Sequence, residues 1–265
     1  MPADRLPVGA SGRPALDIAI AAVGLADKVI LSGFSKIKQL RYKGRRDIVT
    51  DVDVAAEAAI LEVLRQEFPT HGFLAEESGA FPGSDDYAWL IDPLDGTTNY
   101  SQSIPIFCTS IALSYRGEIT MGVINDPMRR EKFVAVRGQG ARLNGQPIAV
   151  SDKTNIAHAA VGVDLGYDEE LRKKGMERAV ALLQIVGTLR FIGSAALALA
   201  YVAAGRFDFF YDHRLQLWDW AAGSLLVTEA GGKATEWGKP LGHESRAILA
   251  GNPTLHDEAL RILHP

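Results

Sequence analysis

The run Trp89-Leu90-Ile91-Asp92-Pro93-Leu94-Asp95-Gly96-Thr97-Thr98-Asn99-Tyr100 drives an apolar segment directly into two acids, a turn and two hydroxyls. The apolar part reads as a short buried strand, residues 87–91, and the acids then stand at its end. A carboxylate there serves as a fixed ligand, and a second one three residues on, past a proline-set turn, faces the same cavity. Gly96 lets the backbone turn closely, and the amides of Thr97 and Thr98 project from a helix N-terminus, where an anion is favoured. Hard carboxylate oxygens beside an anion cradle suit Mg²⁺ bridging to phosphate. Turn chemistry and helix capping use the same residue types, but neither needs two acids, a glycine and two threonines packed behind one strand.

The rest of the chain has to supply a scaffold for that site. Its 265 residues are enough for a large core, in one domain or two closely packed halves. Apolar residues at 47% and charged residues at 23% are ordinary for a soluble globular protein. The formal charge of −4 gives no global basic field, so neither nucleic acid nor an anionic lipid surface is an expected partner. Cys108 is the only cysteine, which excludes an intrachain disulfide and a thiolate-rich zinc site. Residues 1–14 have no apolar core of the signal-peptide kind, 15–31 are interrupted by Asp17, Asp27 and Lys28, and 195–204 are too short to span a bilayer. A cytoplasmic protein is the expectation.

Helices are predicted over 15–34 and 52–68, followed by a mainly antiparallel section with strands at 87–91, 107–115, 118–124 and 132–136. Asn144-Gly145 predicts a type I′ hairpin between 141–143 and 147–150. After 151–155 strands and helices alternate: strand 159–163, helix 168–186, strand 189–192, helix 194–204, strand 207–211, helix 219–230, strand 247–250 and helix 254–263. The domain boundary is therefore placed at 150/151, with an N-terminal α+β part, 1–150, carrying most candidate ligands and a C-terminal α/β part, 151–265.

Further acids fall where they can join the site. Asp47, Val49, Asp51 and Asp53 share a face if 47–53 is extended, although Asp53 is equally a cap for a helix starting at Val54. Glu76-Glu77 follows apolar residues 72–75, so one of the pair points inward as a ligand if the turn is not simply solvated. Asp219 stands between Trp218 and Trp220 at the start of an apolar helix, as a cap or as a charge that needs a metal or several N–H donors. Asp212 and His213 precede it on a loop, with no second histidine at zinc spacing.

Taken together, Asp47-Ile-Val-Thr-Asp-Val-Asp53, Leu74-Ala-Glu-Glu-Ser78, residues 89–100 and Trp218-Asp219 with Thr228-Glu-Ala-Gly-Gly232 resemble the inositol monophosphatase family, within the lithium-sensitive, Mg²⁺-dependent sugar phosphatases. The resemblance covers nearly the whole chain. It implies an α+β fold, a layered αβαβα sandwich of the sugar phosphatase type, and hydrolysis of inositol 1-phosphate or a related sugar-alcohol phosphate by metal-activated water. Two to three Mg²⁺ ions are implied. Glu76, Asp92 and the carbonyl of Leu94 would hold one, Asp92, Asp95 and Asp219 a second, and a third would sit near Glu76 and Asp53. Thr97, paired with Asp53 through the Thr50 segment or a water, is similar to the hydroxyl that orients the attacking water.

By the same resemblance, Gly96, Thr97 and Thr98 receive the phosphate, while Gly193, Ser194, Ala195 and Asp212 contact the alcohol of a small phosphorylated polyol. At Asp212 the family usually carries Glu, and the shorter acid leaves room for a different or bulkier alcohol. Lys43 lies near the family's active-site lysine. Fructose 1,6-bisphosphate, NADP(H) and histidinol phosphate are alternatives within the same chemistry. A non-catalytic binding factor for the transcription machinery is the alternative outside it. The resemblance also implies a homodimer, with Arg190 and its strand as a candidate interface.

Overall fold

The computed structural model describes residues 6–34, 36, 40–42, 48–165 and 168–263; Lys43 and Asp47 lie outside the described residues. Helix α1 (Ala15–Phe34) and helix α2 (Asp51–Glu67) flank a short ribbon of β1 (Leu40–Tyr42) and β2 (Ile48–Thr50). The buried stripe of α1, Ile18, Ala22, Ala26 and Ile30 with Ala15, Ala19 and Val23, repeats at helical spacing, and its alanines let α2 approach closely.

Thr50, not Asp53, caps α2. Thr50 Oγ1 accepts from the Val52 amide at 3.2 Å, and Asp53, at the third helical position, accepts from the Thr50 amide at 2.9 Å. This reciprocal box satisfies two amides of the helix start and fixes the Asp53 carboxylate. The extended face expected over 47–53 does not form between Asp51 and Asp53, because the helix begins at Asp51.

A first sheet is built from β3 (Gly72–Ala75), β4 (Gly79–Phe81), β5 (Tyr87–Asp95), β6 (Cys108–Tyr115), β7 (Glu118–Asp126), β8 (Glu131–Val136), β9 (Ala141–Leu143) and β10 (Gln146–Ile148). Its order is β10-β9-β8-β7-β6-β5-β3-β4, with β3 and β5 parallel and the other neighbours antiparallel. Asn144 and Gly145 have φ of 49° and 80°, the pair of positive values that a type I′ turn needs. Helix α3 (Thr97–Ser101) follows β5.

The second sheet comprises β11 (Ala160–Val163), β12 (Thr188–Phe191), β13 (Phe209–Asp212), β14 (Lys233–Glu236), β15 (Lys239–Pro240) and β16 (Ile248–Gly251), in the order β12-β11-β13-β16-β14-β15. Strands β12, β11 and β13 run parallel. The parallel strands are joined through α4 (Glu169–Leu183) and α5 (Ala195–Ala203); α6 (Leu217–Glu229) and α7 (Pro253–Leu263) complete the chain.

Period-two alternation assigns the layers. Trp89, Ile91, Ile111, Leu113, Met121 and Val123 face α1 and α2, whereas Leu90, Ala112, Ile124 and Phe133 face α5 and α6. In the second sheet Phe210, Ile248 and Ala250 face α5 and α6, while Phe209, Tyr211 and Leu249 face α4 and α7. The result is the five-layer αβαβα arrangement of an α+β fold. Helix α5, buried on eight of its nine residues, is apolar all round because it lies in the middle layer. Gly122 permits the contact of α6 with the first sheet: a Cβ there would lie 2.9 Å from Ala222 Cα. No helix among the described residues is long and apolar enough to cross a membrane.

Candidate active site

The strand predicted over 87–91 continues through both acids to Asp95. Pairing with β6 passes from Asp92 opposite Ser110 to Asp95 opposite Cys108, so three residues of β5 span two of β6. Pro93, which lacks an N–H, sits in this bulge, where the ladder has no use for a donor. The bulge is held by Thr109 Oγ1 donating to Pro93 O at 2.9 Å and by the Leu94 amide donating to Asp92 Oδ1 at 3.0 Å. It thereby replaces the expected turn and re-aims Asp95 relative to Asp92.

Gly96 follows with φ 99°, and a side chain there would meet Ile106 O at 2.9 Å and Gly193 O at 3.2 Å. Only glycine fits so close a backbone crossing. Asn99 stitches the crossing together, its Nδ2 donating to Ile192 O at 2.7 Å and Ile106 O at 2.9 Å. The two candidate substrate loops, 96–98 and 193–195, are therefore neighbours.

Between them lies Asp95. Its Oδ2 accepts from Ser194 Oγ at 2.6 Å and from the Ala196 amide at 2.7 Å, and its Oδ1 takes a longer bond from the Ala195 amide at 3.3 Å. The carboxylate thus caps α5 from outside, where the helix start favours negative charge. Asp219 lies in the first turn of α6, accepts from the Gln216 amide at 2.6 Å, and feels the charges of Glu76 and Asp95.

Glu76 reaches the site from the β3–β4 turn. That turn is anchored by buried Glu57 of α2, whose Oε2 and Oε1 accept from the amides of Glu77 at 2.8 Å and Ser78 at 2.9 Å. Thr97 Oγ1 lies 2.7 Å from Asp53 Oδ1 and 3.0 Å from Leu94 O. Its single proton goes to the nearer, ionisable acceptor. The Thr97–Asp53 pairing is direct, with neither water nor the Thr50 segment between them.

These acids share an electrostatic predicament. Asp92 and Asp53 are buried, and Asp95 and Asp219 retain some exposure. Among the described residues no Lys, Arg or His pairs with any of the four, whereas Asp126, Asp208 and Asp168 elsewhere are neutralised by Arg129, Lys153 and Arg214. Burial pushes the Asp92 carboxyl well above the usual carboxylate range, and the charges of Glu76, Asp95 and Asp219 push it further. A hydrogen bond with Glu76 raises it too. Asp219 is raised by burial and by Glu76 and Asp95. Asp95 rises to about 6 through burial, partly offset by Ser194 and the amides of α5.

Asp212 ends β13 in a buried position, accepts from the Arg214 amide at 2.7 Å, and is raised to about 8 by burial and then by Asp164. Asp164, at the adjacent end of β11, is an acid the sequence reading passed over. It is raised by burial, accepts from the Leu165 amide at 2.9 Å, and is held further by the Gly193 amide. A signal for it exists: an Asp directly after the apolar strand runs predicted at 87–91, 159–163 and 207–211 occurs at Asp92, Asp164 and Asp212 alike. His213, by contrast, turns away onto Trp237 and Arg178.

As they stand, no group of three or more His, Cys, Asp or Glu side chains among the described residues is gathered tightly enough to hold a metal ion. Asp95 and Asp219 are instead turned onto backbone amides. The donor set nonetheless fits a hard divalent cation: carboxylate oxygens that raise one another, three of them on aspartates that no basic side chain among the described residues neutralises.

The chain's relatives agree with this architecture. A sequence model of the inositol monophosphatase family matches residues 12–264. The chain is 40% identical to a Nus factor SuhB of Pasteurella multocida over 95% of this chain and 96% of that protein. It is 39% identical to an inositol monophosphatase of Dictyostelium discoideum over 94% of each. The crystal structure of the extragenic suppressor protein suhB from Bartonella henselae superposes with a TM-score of 0.91 at 35% identity, covering 94% of this chain and 98% of that one. Five layers in the order described and a match along almost the entire sequence place the chain in the inositol monophosphatase family.

Proposed function

We propose that this protein is a cytoplasmic, Mg²⁺-dependent phosphomonoesterase acting on inositol 1-phosphate or a related sugar-alcohol phosphate. The observation that carries the reading is the convergence of Glu76, Asp95 and Asp219 on buried Asp92, whose carboxyl their charges raise, with no basic side chain among the described residues pairing with the three aspartates. Glu76, Asp92 and Leu94 O would hold one ion and Asp92, Asp95 and Asp219 another, with a third near Glu76 and Asp53. Bound there, Mg²⁺ supplies a water of lowered pKa and neutralises phosphate and leaving-group charge.

The chain's own groups do the rest. Asp53, fixed by Thr50, accepts the Thr97 proton and so leaves a Thr97 lone pair to orient an attacking water. Residues Gly96, Thr97 and Thr98 offer backbone amides to the phosphate, and Gly193, Ser194, Ala195 and Asp212 meet the alcohol. Asp212 with Asp164 behind it forms an acceptor-rich wall suited to polyol hydroxyls. Thr98 favours this class over nucleoside 3′-phosphates and histidinol phosphate, whose hydrolases in the family often carry Lys there.

A second reading, a binding factor for the transcription machinery, is supported by the relatives named Nus factor SuhB. It leaves the retained cluster of repelling carboxylates without a purpose, since such clusters cost stability. A homodimer is also proposed. Strand β12 is the edge of the second sheet, Phe191 on it is 50% exposed, and Met176, Val180 and Leu183 form an exposed apolar stripe on α4.

Phosphate release from inositol 1-phosphate is expected to require Mg²⁺, to exceed release from fructose 1,6-bisphosphate, NADP⁺ and histidinol phosphate, and to fall at least about a hundredfold in Asp95→Asn with the circular dichroism unchanged. No turnover of any of the four substrates would shift the weight to the binding role.

The raised acids make the metal-free fold pH-sensitive in a defined direction. A carboxyl whose folded pKa lies above its unfolded value holds its proton more tightly in the native state, so its contribution to stability is lost as pH rises through the folded pKa. For Asp212, raised from the ordinary carboxylate value to about 8, that loss runs from about pH 4 to about pH 8, and its last part, above pH 7, lies beyond the titration of histidines in the unfolded chain. Thermal melts without metal should therefore weaken from about pH 7 to about pH 8, less so in Asp212→Asn, and Mg²⁺ should raise Tm more at the higher pH. A metal-free Tm that climbs over this interval contradicts the assignment. For the dimer, light scattering should give twice the 28.6 kDa chain mass, and Phe191→Asp should return the monomer.

A further inference from the structure

The side-chain amide of Asn99 spends both of its hydrogens on distant backbone. Nδ2 donates to Ile106 O at 2.9 Å and to Ile192 O at 2.7 Å, with Gly193 O at 3.3 Å sharing the second bond. A planar NH₂ suits this place because it aims two donors apart from one atom. The Asn99 backbone is fixed as well, its carbonyl accepting from the Ile104 amide at 2.8 Å and the Gln102 amide at 3.1 Å. Gly193 is fitted to it in turn: a Cβ there would lie 3.0 Å from Asn99 Nδ2, at a φ of 69° that disfavours a side chain.

The two loops that meet at this contact differ in what else holds them. On the phosphate side, Thr97 Oγ1 is bound to Asp53 and Tyr100 Oη donates to Ile30 O at 2.8 Å, so the place of residues 97–101 does not depend on Asn99. On the alcohol side, Phe191 is paired with Val163 in the second sheet and Ser194 Oγ donates to Asp95 Oδ2 at 2.6 Å. Between those two anchors lie Ile192 and Gly193. The Gly193 amide bears on Asp164, and both carbonyls are turned to Asn99. Loss of the Asn99 amide therefore loosens two residues without unfastening the phosphate loop or the start of α5.

We propose, resting on the phosphatase reading above, that Asn99 is a positioning residue for alcohol recognition: it sets where Gly193 stands relative to the phosphate loop, and so which sugar-alcohol the cleft accepts. Phosphate on residues 96–98 and hydroxyls on residues 193–195 are the two ends of one substrate, and the spacing of the loops measures the group that joins them. A displacement of about 1 Å is enough to spoil such a fit. The loss falls on an alcohol that carries hydroxyls, because an ester without them makes no use of Gly193.

The test compares inositol 1-phosphate with cyclohexyl phosphate, the same ring ester without its hydroxyls, in wild type, Asn99→Ala and Asn99→Asp with Mg²⁺ present. Asn99→Ala removes both donors, and Asn99→Asp, of nearly equal size, turns an acceptor onto carbonyl oxygens. For inositol 1-phosphate, KM should rise about tenfold in Asn99→Ala and further in Asn99→Asp, with kcat within about twofold, while both constants for cyclohexyl phosphate stay within about twofold. Without metal or substrate, amide hydrogen exchange should quicken in a peptide spanning 189–194 and not in one spanning 97–101. An equal loss for both esters means a structural role and overturns the proposal alone, as does an unchanged KM for inositol 1-phosphate or unchanged exchange over 189–194 in both variants. A wild type that turns over neither ester overturns the phosphatase reading and the proposal with it.

Discussion

The carboxylate of Asp95 is the joint on which the rest of the site depends. It belongs to the last residue of a strand in the first sheet, yet its hydrogen bonds go to Ser194 and to the first amides of α5, the helix that leads into the second sheet's third parallel strand. One side chain thus ties both sheets to a common point, and the glycine crossing at Gly96 and Gly193 with the Asn99 stitch holds them at that distance. A buried or half-buried acid in such a place is expensive unless its charge is met. The helix start meets part of it, leaving the remainder, shared with Asp92, Asp219 and Glu76, to a cation or to protons.

That division explains why the site looks different from a ready-made cage. In the arrangement described, backbone amides engage two of the acids: Asp219 accepts from the Gln216 amide and Asp95 from the start of α5. The scaffold behind the ligands is rigid by comparison, with the Thr50 box under Asp53, the Glu57 anchor under the 76–78 turn and the bulge at Pro93 under Asp92 and Asp95. Positioning residues of this kind hold ligands in place while the ligands themselves change partners.

Much of this was legible in the sequence, for identifiable reasons. The residues of α1 carry an unbroken apolar stripe ending at Gly33 and Phe34, and the predicted and observed limits coincide. Asn144-Gly145 announced its turn because only residues tolerant of positive φ fit both central positions. The motif at 89–100 pointed to the acids because their chemistry is local. What was not legible depends on distant partners. Thr50 and Asp53 form a local box at the start of α2, but the second Asp53 oxygen finds its partner, Thr97, only 44 residues on. The bulge that carries β5 past Pro93 needs the neighbouring strand, and Glu57 gains its role only when the 76–78 turn folds over it. Asp164 was passed over although it repeats the pattern of Asp92 and Asp212, because its neighbours Asp212 and Gly193 come near it only in the folded chain.

The central claim is that Glu76, Asp92, Asp95 and Asp219 together hold divalent cations. Anomalous diffraction from crystals of the wild-type protein equilibrated with Mn²⁺ tests it most directly, because the ion reports its own position. The account predicts at least two peaks, one flanked by Glu76 and Asp92 and one by Asp92, Asp95 and Asp219, each within about 2.5 Å of carboxylate oxygen. Saturating Mn²⁺ with no peak at any of these four side chains would contradict it.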